Sequence, residues 1–345
     1  MKRLALLSIS ALLALSAQAQ APGDRPSTPI SPAARSLAVE TLARQLDAQY
    51  VFPAKGKLMA QTLRERAAQG HYAQFELAEA LADQLNADLA SVVQDGHLQI
   101  EAQPADPRGA APQGPSAEEV RWMNFGIQRV ERLGGNIGYL DLRAFLPTPL
   151  AGEALANAMK LLQHSNALII DLRKNGGGEP EMVQRLASYF FERRTHLNDI
   201  ADRRTGKTTQ YWTRTDIPGP RYGSQRPLVI LTAKRTFSAA EDFSYALQAT
   251  KRATVIGETT GGGAHPTDAV RISPQLVALI PYARSVSPIT GGNWEGAGVK
   301  PDVQVPAEQS LPEARRLLLR QLIETEKHPM KRDAMRRALA ELDKT

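Results

Sequence analysis

The segment from Leu228 to Gly257 constrains the fold more than any other part of the chain. It begins with an apolar run that ends at Thr232, continues with a helical pattern from Ser238 to Leu247, and returns to an apolar run at Ala253. This order is typical of a β-α-β unit with two buried strands. The turn between the first strand and the helix contains a serine, Ser238.

The same alternation extends through a large part of the chain. Strands are predicted at Ile137–Leu142, Ala167–Leu172, Pro227–Thr232, Ala253–Gly257 and Leu276–Pro281. Helices are predicted at Leu150–Leu162, Pro180–Phe191 and Ser238–Leu247. The alternation predicts a mostly parallel sheet with crossover helices, over a core of residues 120–306. The alternating polar and aromatic residues of Leu197–Arg214 indicate a β-hairpin.

The regions outside this core differ in composition. Residues 1–19 combine Lys2 and Arg3 with a short apolar run and a small-residue cleavage pattern, so we expect a signal peptide and export to the periplasm or medium. The run is too short to span a membrane, and no later segment is long enough. Residues 20–35 indicate a linker, 36–119 a small helical domain followed by a loop, and 307–345 a C-terminal helical extension.

Composition excludes several classes of site. The 345 residues include no cysteine, which excludes disulfides and thiol catalysis. No His, Asp and Glu residues have the spacing of metal ligands, so no metal or cofactor is expected. No nucleic-acid-binding motif is found, and the net charge is +6. The many basic residues of the C-terminal helix are balanced by acidic residues, which indicates a solvated helix face rather than a binding surface.

Ser238 has two interpretations. At the carboxyl edge of a sheet and the N-terminus of a helix, backbone N–H groups can hold an oxyanion, so the hydroxyl can be a nucleophile. Alternatively, Ser238 and Glu241 have the spacing of a helix capping box, which is much the commoner use of this pattern.

Two more motifs end at the same predicted edge of the sheet. Asp171–Gly178 reads DLRKNGGG and follows a buried strand; its glycines allow a close backbone approach to a ligand. Asn293–Asp302 is a glycine-rich loop that contains Glu295. Among the histidines, His97 and His265 occupy turn-like contexts that suit a site, and spacing alone does not choose between them as a base.

The motifs together resemble one serine peptidase family. FSAAE at 237–241, GETTGGGAHP at 257–266, DLRKNGGG at 171–178 and EGAGVKPD at 295–302 are similar to motifs of the tail-specific (C-terminal processing) proteases, the tricorn protease and the repeats of interphotoreceptor retinoid-binding protein. DGHL at 95–98 resembles the end of the helical domain in the retinoid-binding-protein-like branch. The likeness covers nearly all of the chain after the linker.

This resemblance implies a spiral α/β core of the ClpP/crotonase type, with Ser238 as the nucleophile. Tail-specific proteases carry a catalytic lysine 25 residues after the serine, where this chain has Gly263. Residues 98–119 are too few for a PDZ domain. Both departures indicate the tricorn-like or retinoid-binding-protein-like branch.

In that branch the resemblance implies His97 as the base and Glu295 as the residue that orders the site. Gly177 and Ala239 are implied as oxyanion donors, with Gly176 as a close competitor that can also bind substrate. His265 lies just beyond the turn that carries the lysine in the family and is the rival base; the alternative is that it only lines the pocket or stabilises the loop before Pro266. Gly96 stands where the tricorn motif has a serine, which puts that supporting hydrogen bond in question.

The expected function is that of an exported serine-type endopeptidase acting on peptides or protein tails, with no cofactor and no defined oligomeric state. The alternative is a non-catalytic binding module for apolar ligands or peptides, because the retinoid-binding repeats carry ligands on the same fold.

Overall fold

The computed structural model describes residues 27–103 and 114–344, so the predicted signal peptide lies outside the described residues. The chain forms two compact units. Of the described residues, the first contains those before Pro115 together with Ile200–Thr209 and His265–Ser285, and the second contains Pro115–Asp199, Gln210–Ala264 and those from Val286 onward. Residues 265–285 therefore cluster with the N-terminal helices, although the sequence pattern grouped them with residues 120–306.

Three helices make up most of the first unit: α1 (Pro32–Gln49), α2 (Pro53–Ala68) and α3 (Ala78–Ala90). The predicted helical region is confirmed. Pro53 opens α2, where the missing N–H of proline costs no hydrogen bond. The helices bury Leu42, Leu63 and Leu85 in one apolar core.

A small antiparallel sheet completes the first unit. Its strands are β1 (Gln99–Ala102), β9 (Thr267–Ser273) and β10 (Leu276–Pro281), in the order β1-β10-β9. The prediction that Leu276–Pro281 belongs to the parallel sheet is wrong. β10 pairs with β9 across a tight turn, and as the central strand its residues Leu276 and Ile280 are buried in the helical core, which explains its continuous apolar run.

The second unit is built on a six-stranded sheet of order β12-β8-β7-β4-β3-β2. The strands are β2 (Ile127–Leu133), β3 (Ile137–Leu142), β4 (Ala167–Asp171), β7 (Leu228–Thr232), β8 (Thr254–Gly257) and β12 (Val303–Gln304). Every pair is parallel except β2 with β3, which confirms the prediction of a mostly parallel sheet. The polar edge strand β2 was not predicted, because its charged residues hide the strand pattern.

The helices of the second unit are α4 (Ala117–Trp122), α5 (Thr148–Leu162), α6 (Pro180–Ala187), α7 (Ala239–Ala249), α8 (Ser310–Thr325) and α9 (Pro329–Leu342). Leu318 of α8 and Met335 of α9 belong to the same buried cluster as Ile169 and Leu231 of the sheet. The C-terminal helices thus form part of the core of this unit.

The predicted hairpin in Leu197–Arg214 is also present. Its strands are β5 (His196–Asp202) and β6 (Thr208–Trp212), which form a third sheet with β11 (Ala283–Val286). Within the described residues, no helix combines the length and hydrophobicity needed to cross a bilayer.

Candidate active site

Ser238 lies in a strained turn between β7 and α7. Its backbone has φ +53° and ψ −120°, a conformation that a residue with a side chain rarely adopts. An ordinary N-cap residue has an extended backbone, so this geometry is not that of a simple helix cap. Sharp strand-to-helix turns present the nucleophilic serine in α/β-hydrolases, and strain of about 1–3 kcal/mol persists only where the surrounding structure enforces it.

The glycine turn after β4 packs directly against this serine. Gly177 has φ +115°, and a Cβ built on it would lie 2.7 Å from the Cβ of Ser238 and 3.1 Å from the amide nitrogen of Ala239. Buried Asn175 joins the two turns, because its carbonyl accepts a hydrogen bond from the N–H of Phe237 at 3.1 Å. Only glycine fits at position 177, as the motif indicates.

The Gly177 amide, predicted as an oxyanion donor, is engaged within the turn. It donates to Oδ1 of Asn175 at 2.8 Å. The next residue, Gly178, forms a parallel bridge with Phe145: the Phe145 N–H donates to the Gly177 carbonyl at 2.8 Å, and the Glu179 N–H donates to the Phe145 carbonyl at 2.7 Å. Both hydrogen bonds of this bridge are made by the residues on either side of Gly178. The N–H of Gly178 itself therefore points away from Phe145.

Glu241 is fully buried beneath the serine turn. Its Oε2 accepts hydrogen bonds from the N–H of Ser238 at 2.8 Å and from the N–H of Gly263 at 2.9 Å. Its Oε1 accepts from the Thr260 hydroxyl at 2.5 Å and from the N–H of Gly262 at 2.7 Å. The reach of Glu241 to the Ser238 amide is that of a capping box, but the carboxylate has three further donors.

The loop that contains Glu295 is connected to Glu241 through residues 260–264, which we call the 260–264 turn. Oε2 of Glu295 accepts a hydrogen bond from the N–H of Ala264 at 2.6 Å. Further bonds to the turn come from the Trp294 indole to the Gly263 carbonyl (2.6 Å), the Gly296 amide to the Gly262 carbonyl (2.8 Å) and the Val299 amide to the Thr260 hydroxyl (2.6 Å). Glu295 is therefore held at a defined place in the second unit.

Several carboxyl groups of this unit lie in surroundings of low polarity. Burial raises the pKa of Glu241 to about 7, although its four hydrogen bonds favour the ionised form. Burial also raises the pKa of Asp242, in the first turn of α7, to about 7, and burial together with the charge of Glu181 does the same for Glu179. Backbone donors act more strongly on a developing charge in such surroundings than in water.

His97 and His265 belong to the first unit, and both contact Asp95. The buried carboxylate of Asp95 accepts hydrogen bonds from the His97 amide (3.0 Å) and the Tyr50 hydroxyl (2.9 Å), and it contacts Nδ1 of His265 at 3.0 Å. A carboxylate at Nδ1 fixes the orientation of an imidazole. His265 is 3% exposed and lies edge-on to Phe52.

The surroundings of His97 and Asp95 shift the pKa values of both groups. Burial, with a contribution from His265, lowers the pKa of His97 to about 4, although Asp95 opposes the shift. For Asp95, burial disfavours the charge, but the contacts with His265 and the His97 amide hold the pKa of this carboxyl below its usual value. His97 is thus a neutral imidazole at neutral pH, able to accept a proton.

The structure thus groups the predicted residues by unit. Ser238, Ala239 and Gly177 lie together in the second unit, where the 260–264 turn joins them to Glu295, and His97 and His265 share Asp95 in the first. Sequence reasoning missed the contacts of Asp95 with both histidines and the central position of Glu241, for which it offered only a capping role. The Asp-Gly-His order around residue 95 and the FSAAE motif were the available signals.

Two family models match the chain. The model of peptidase family S41 matches residues 136–305, and a model described as the N-terminal domain of peptidase S41 in eukaryotic IRBP matches residues 33–127. The chloroplastic C-terminal processing peptidase of Tetradesmus obliquus is 31% identical over 172 residues, which are 50% of this chain and 36% of that protein. The chain therefore spans about a third of the length of this relative.

Solved structures share the fold. The photosystem II D1 C-terminal processing protease superposes with a TM-score of 0.52 at 18% identity, covering 81% of this chain and 94% of that one. The tricorn protease superposes with a TM-score of 0.51 at 14% identity, covering 90% of this chain and 37% of that one. Because the two family models account for both the central sheet and the helices that precede it, the chain belongs to peptidase family S41.

Proposed function

We propose that this protein is an exported serine-type endopeptidase that hydrolyses peptide bonds in peptides or protein tails. The observation that carries the proposal is the backbone of Ser238, at φ +53° and ψ −120° between β7 and α7. A capping residue has no need of this strained conformation, whereas a nucleophile gains exposure from it. Family membership supports the same activity.

The proposed reaction follows two steps. Oγ of Ser238 attacks the scissile carbonyl carbon while His97 takes the hydroxyl proton, and the imidazolium then gives this proton to the leaving amine as the C–N bond breaks. Water, deprotonated by His97, hydrolyses the acyl-enzyme and releases Ser238 with its proton restored. Glu295 orders the site and stabilises the imidazolium.

The negative charge on the carbonyl oxygen needs backbone donors. We assign one to the Ala239 amide at the N-terminus of α7, where the helix dipole also favours negative charge. The second donor comes from the glycine turn. Since the Gly177 amide is bonded to Asn175, the Gly178 amide is the better candidate. Exposed Gly176 is suited to backbone contact with the substrate.

His265 stays a rival base, because the contact between Asp95 and its Nδ1 is the arrangement that orients the histidine in serine proteases. In the leading proposal, His265 lines the substrate pocket and holds Asp95. Export rests on residues 1–19, for which we propose removal after Ala19.

Labelling with a fluorophosphonate probe tests the proposal. The purified protein without residues 1–19 is compared with Ser238→Ala, His97→Ala and His265→Ala, after circular dichroism has shown that each variant is folded. We expect labelling of the wild type, loss in the Ser238 and His97 variants, and retention in the His265 variant. Labelling lost only in the Ser238 and His265 variants would make His265 the base, and an unlabelled wild type would favour the binding-module alternative.

A further inference from the structure

Glu241 does more in this structure than cap a helix. We propose that it is a positioning residue, which holds Ser238 in its reactive backbone conformation and ties it to the loop of Glu295 through one buried carboxylate. The inference rests on the proposed function, because it assigns a role in the chemistry of Ser238. It concerns geometry alone, since no proton transfer passes through Glu241.

The hydrogen bonds of Glu241 use the full capacity of a carboxylate. An ionised carboxyl group offers about four lone-pair sites. Here four donors occupy them, at distances between 2.5 and 2.9 Å, and the residue has no exposed surface. All four donors are neutral: one hydroxyl and three backbone amides. A side chain that carried a donor at this place would face another donor, so only a carboxylate satisfies the arrangement.

The same chain contains a matched example of an ordinary cap. Ser116 and Glu119 form a capping box at the start of α4 with the same spacing, and Oε2 of Glu119 accepts the Ser116 amide at 2.7 Å. Glu119 is exposed, and Ser116 has an extended backbone with φ −64° and ψ 161°. Burial, three additional donors and the positive φ of Ser238 therefore distinguish Glu241 from a cap.

The bond to the Ser238 amide has a direct consequence for the chemistry. It fixes the peptide plane that precedes Ser238, and with it the direction in which the strained residue presents its side chain. The following amide, that of Ala239, is the proposed oxyanion donor. Without this bond, neither the Ser238 side chain nor the Ala239 amide would be held in a single orientation. A displacement of about 1 Å at a reacting group can cost about a hundredfold in rate.

The other three bonds carry the constraint to Glu295. They fix the 260–264 turn, whose last amide donates to Glu295 at 2.6 Å. In tail-specific relatives, the resemblance places the catalytic lysine in this turn; here Gly263 occupies that position and its amide binds Glu241. The turn thus serves as a rigid connection between the nucleophile and the acidic residue.

The test separates positioning from stability by measuring two parameters of fluorophosphonate labelling. These are the concentration for half-maximal rate, KI, and the limiting rate, kinact. The variants are Glu241→Gln, the matched capping-box control Glu119→Gln, and Ser244→Ala, which removes a buried hydroxyl of α7 that donates to the Ala240 carbonyl at 2.7 Å. All are measured at a temperature at which circular dichroism shows them folded.

We expect kinact of Glu241→Gln to fall by about a hundredfold while KI changes by less than about threefold. Glu119→Gln should keep both parameters, and Ser244→Ala, a change within α7 that leaves the bonds of Glu241 intact, should keep kinact. A folded Glu241→Gln protein that labels at the wild-type kinact would overturn the proposal. Failure of the proposed function is distinct, because the wild type and Glu119→Gln would then both stay unlabelled.

If Glu241→Gln does not fold, Thr260→Val decides the question. This change removes one of the four donors, and with it the acceptor of the Val299 amide, and leaves the bond to the Ser238 amide in place. A reduced kinact with unchanged KI supports the positioning role. An unchanged kinact in folded Thr260→Val overturns it, since the rate would then not depend on the complete set of four bonds that the proposal requires.

Discussion

At the scale of single residues, the serine turn depends on the absence of side chains around it. Gly177 touches Ser238 so closely that a methyl group has no room, and its φ of +115° is open to glycine almost alone. Asn175 then binds the amide of Gly177 and the residue before Ser238. The strained conformation of Ser238 is thus enforced by its neighbours rather than by the local preference of serine.

Replacement of Gly177 by alanine tests this point. The new Cβ would lie 2.7 Å from the Cβ of Ser238, so one of the two turns must shift. We expect Gly177→Ala to lower the free energy of unfolding by about 2 kcal/mol more than the control Gly206→Ala, and to abolish probe labelling. Gly206 also has a positive φ, of +66°, but has open space around it. Equal losses of stability and retained labelling in both variants would contradict the account. Chemical denaturation measures the difference.

Asp95 provides a second residue-scale prediction. Its carboxylate holds Nδ1 of His265, the amide of His97 and the hydroxyl of Tyr50, so its loss disturbs the orientation of both candidate bases. We expect Asp95→Asn to reduce the labelling rate by about a hundredfold or more. The control is Asp47→Asn, an exposed aspartate of the same unit, which should label like the wild type. A wild-type rate in Asp95→Asn would show that neither base depends on this carboxylate.

The sequence identified the residues with characteristic chemistry but not the contacts between them. Ser238, Glu295 and the two histidines stand in short motifs, so a family resemblance could find them. Asp95 contacts His265, which lies 170 residues later in the chain. Glu241 binds donors 19–22 residues later, between Thr260 and Gly263. Local sequence patterns do not reveal such contacts. The register of the proposed oxyanion donors could not be predicted either, because it depends on the bridge between Gly178 and Phe145.

At the scale of elements, the site is built from loops at the carboxyl ends of neighbouring strands. β4 precedes the glycine turn, β7 precedes the serine turn and β8 precedes the 260–264 turn, and these strands are consecutive in the sheet. This is the edge at which parallel α/β sheets bind ligands. The apolar runs made these strands predictable. β10 was predicted in the wrong sheet, because tertiary contacts and not its own sequence determine which strand it pairs with.

The connection of these loops by Glu241 predicts a pH dependence. Burial raises the pKa of Glu241 to about 7, and only the ionised form accepts all four hydrogen bonds. Protonation as the pH falls should therefore loosen the serine turn, and we expect kinact to be roughly tenfold lower at pH 6 than at pH 8. His97 does not contribute in this range, because burial lowers its pKa to about 4.

Labelling rates across pH 5–8 check this expectation. Glu119→Gln should follow the wild-type curve, since the exposed capping box has no part in it. A rate that stays constant down to pH 5 and falls only below it would contradict the role of Glu241 and would instead match titration of His97 alone.

At the scale of the whole molecule, the C-terminal helices are part of the core of the second unit rather than an appendage. Leu318 is fully buried with Ile169 and Leu231 of the central sheet. Sequence periodicity predicted helices in this region but could not show which surface their apolar faces cover. The central sheet is therefore covered on one face by residues that lie far away in the chain.

Truncation of Leu318 measures this contribution. We expect Leu318→Ala to lower the free energy of unfolding by about 2–5 kcal/mol, as for other fully buried leucines. The control is Leu161→Ala, in α5, whose side chain is 77% exposed and whose loss should change stability by less than about 0.5 kcal/mol. Similar values for the two variants in urea denaturation would contradict a core role for α8.

The central claim is that Ser238 forms an acyl-enzyme, and the most direct measurement is its capture. The protein without residues 1–19 is mixed with p-nitrophenyl acetate and quenched in acid, and the modified peptide is located by mass spectrometry, with Ser238→Ala as the control. We expect an acetyl group on Ser238 in the wild type, and no modified peptide in Ser238→Ala. Acetylation confined to another residue, or equal acetylation of both proteins, would contradict it.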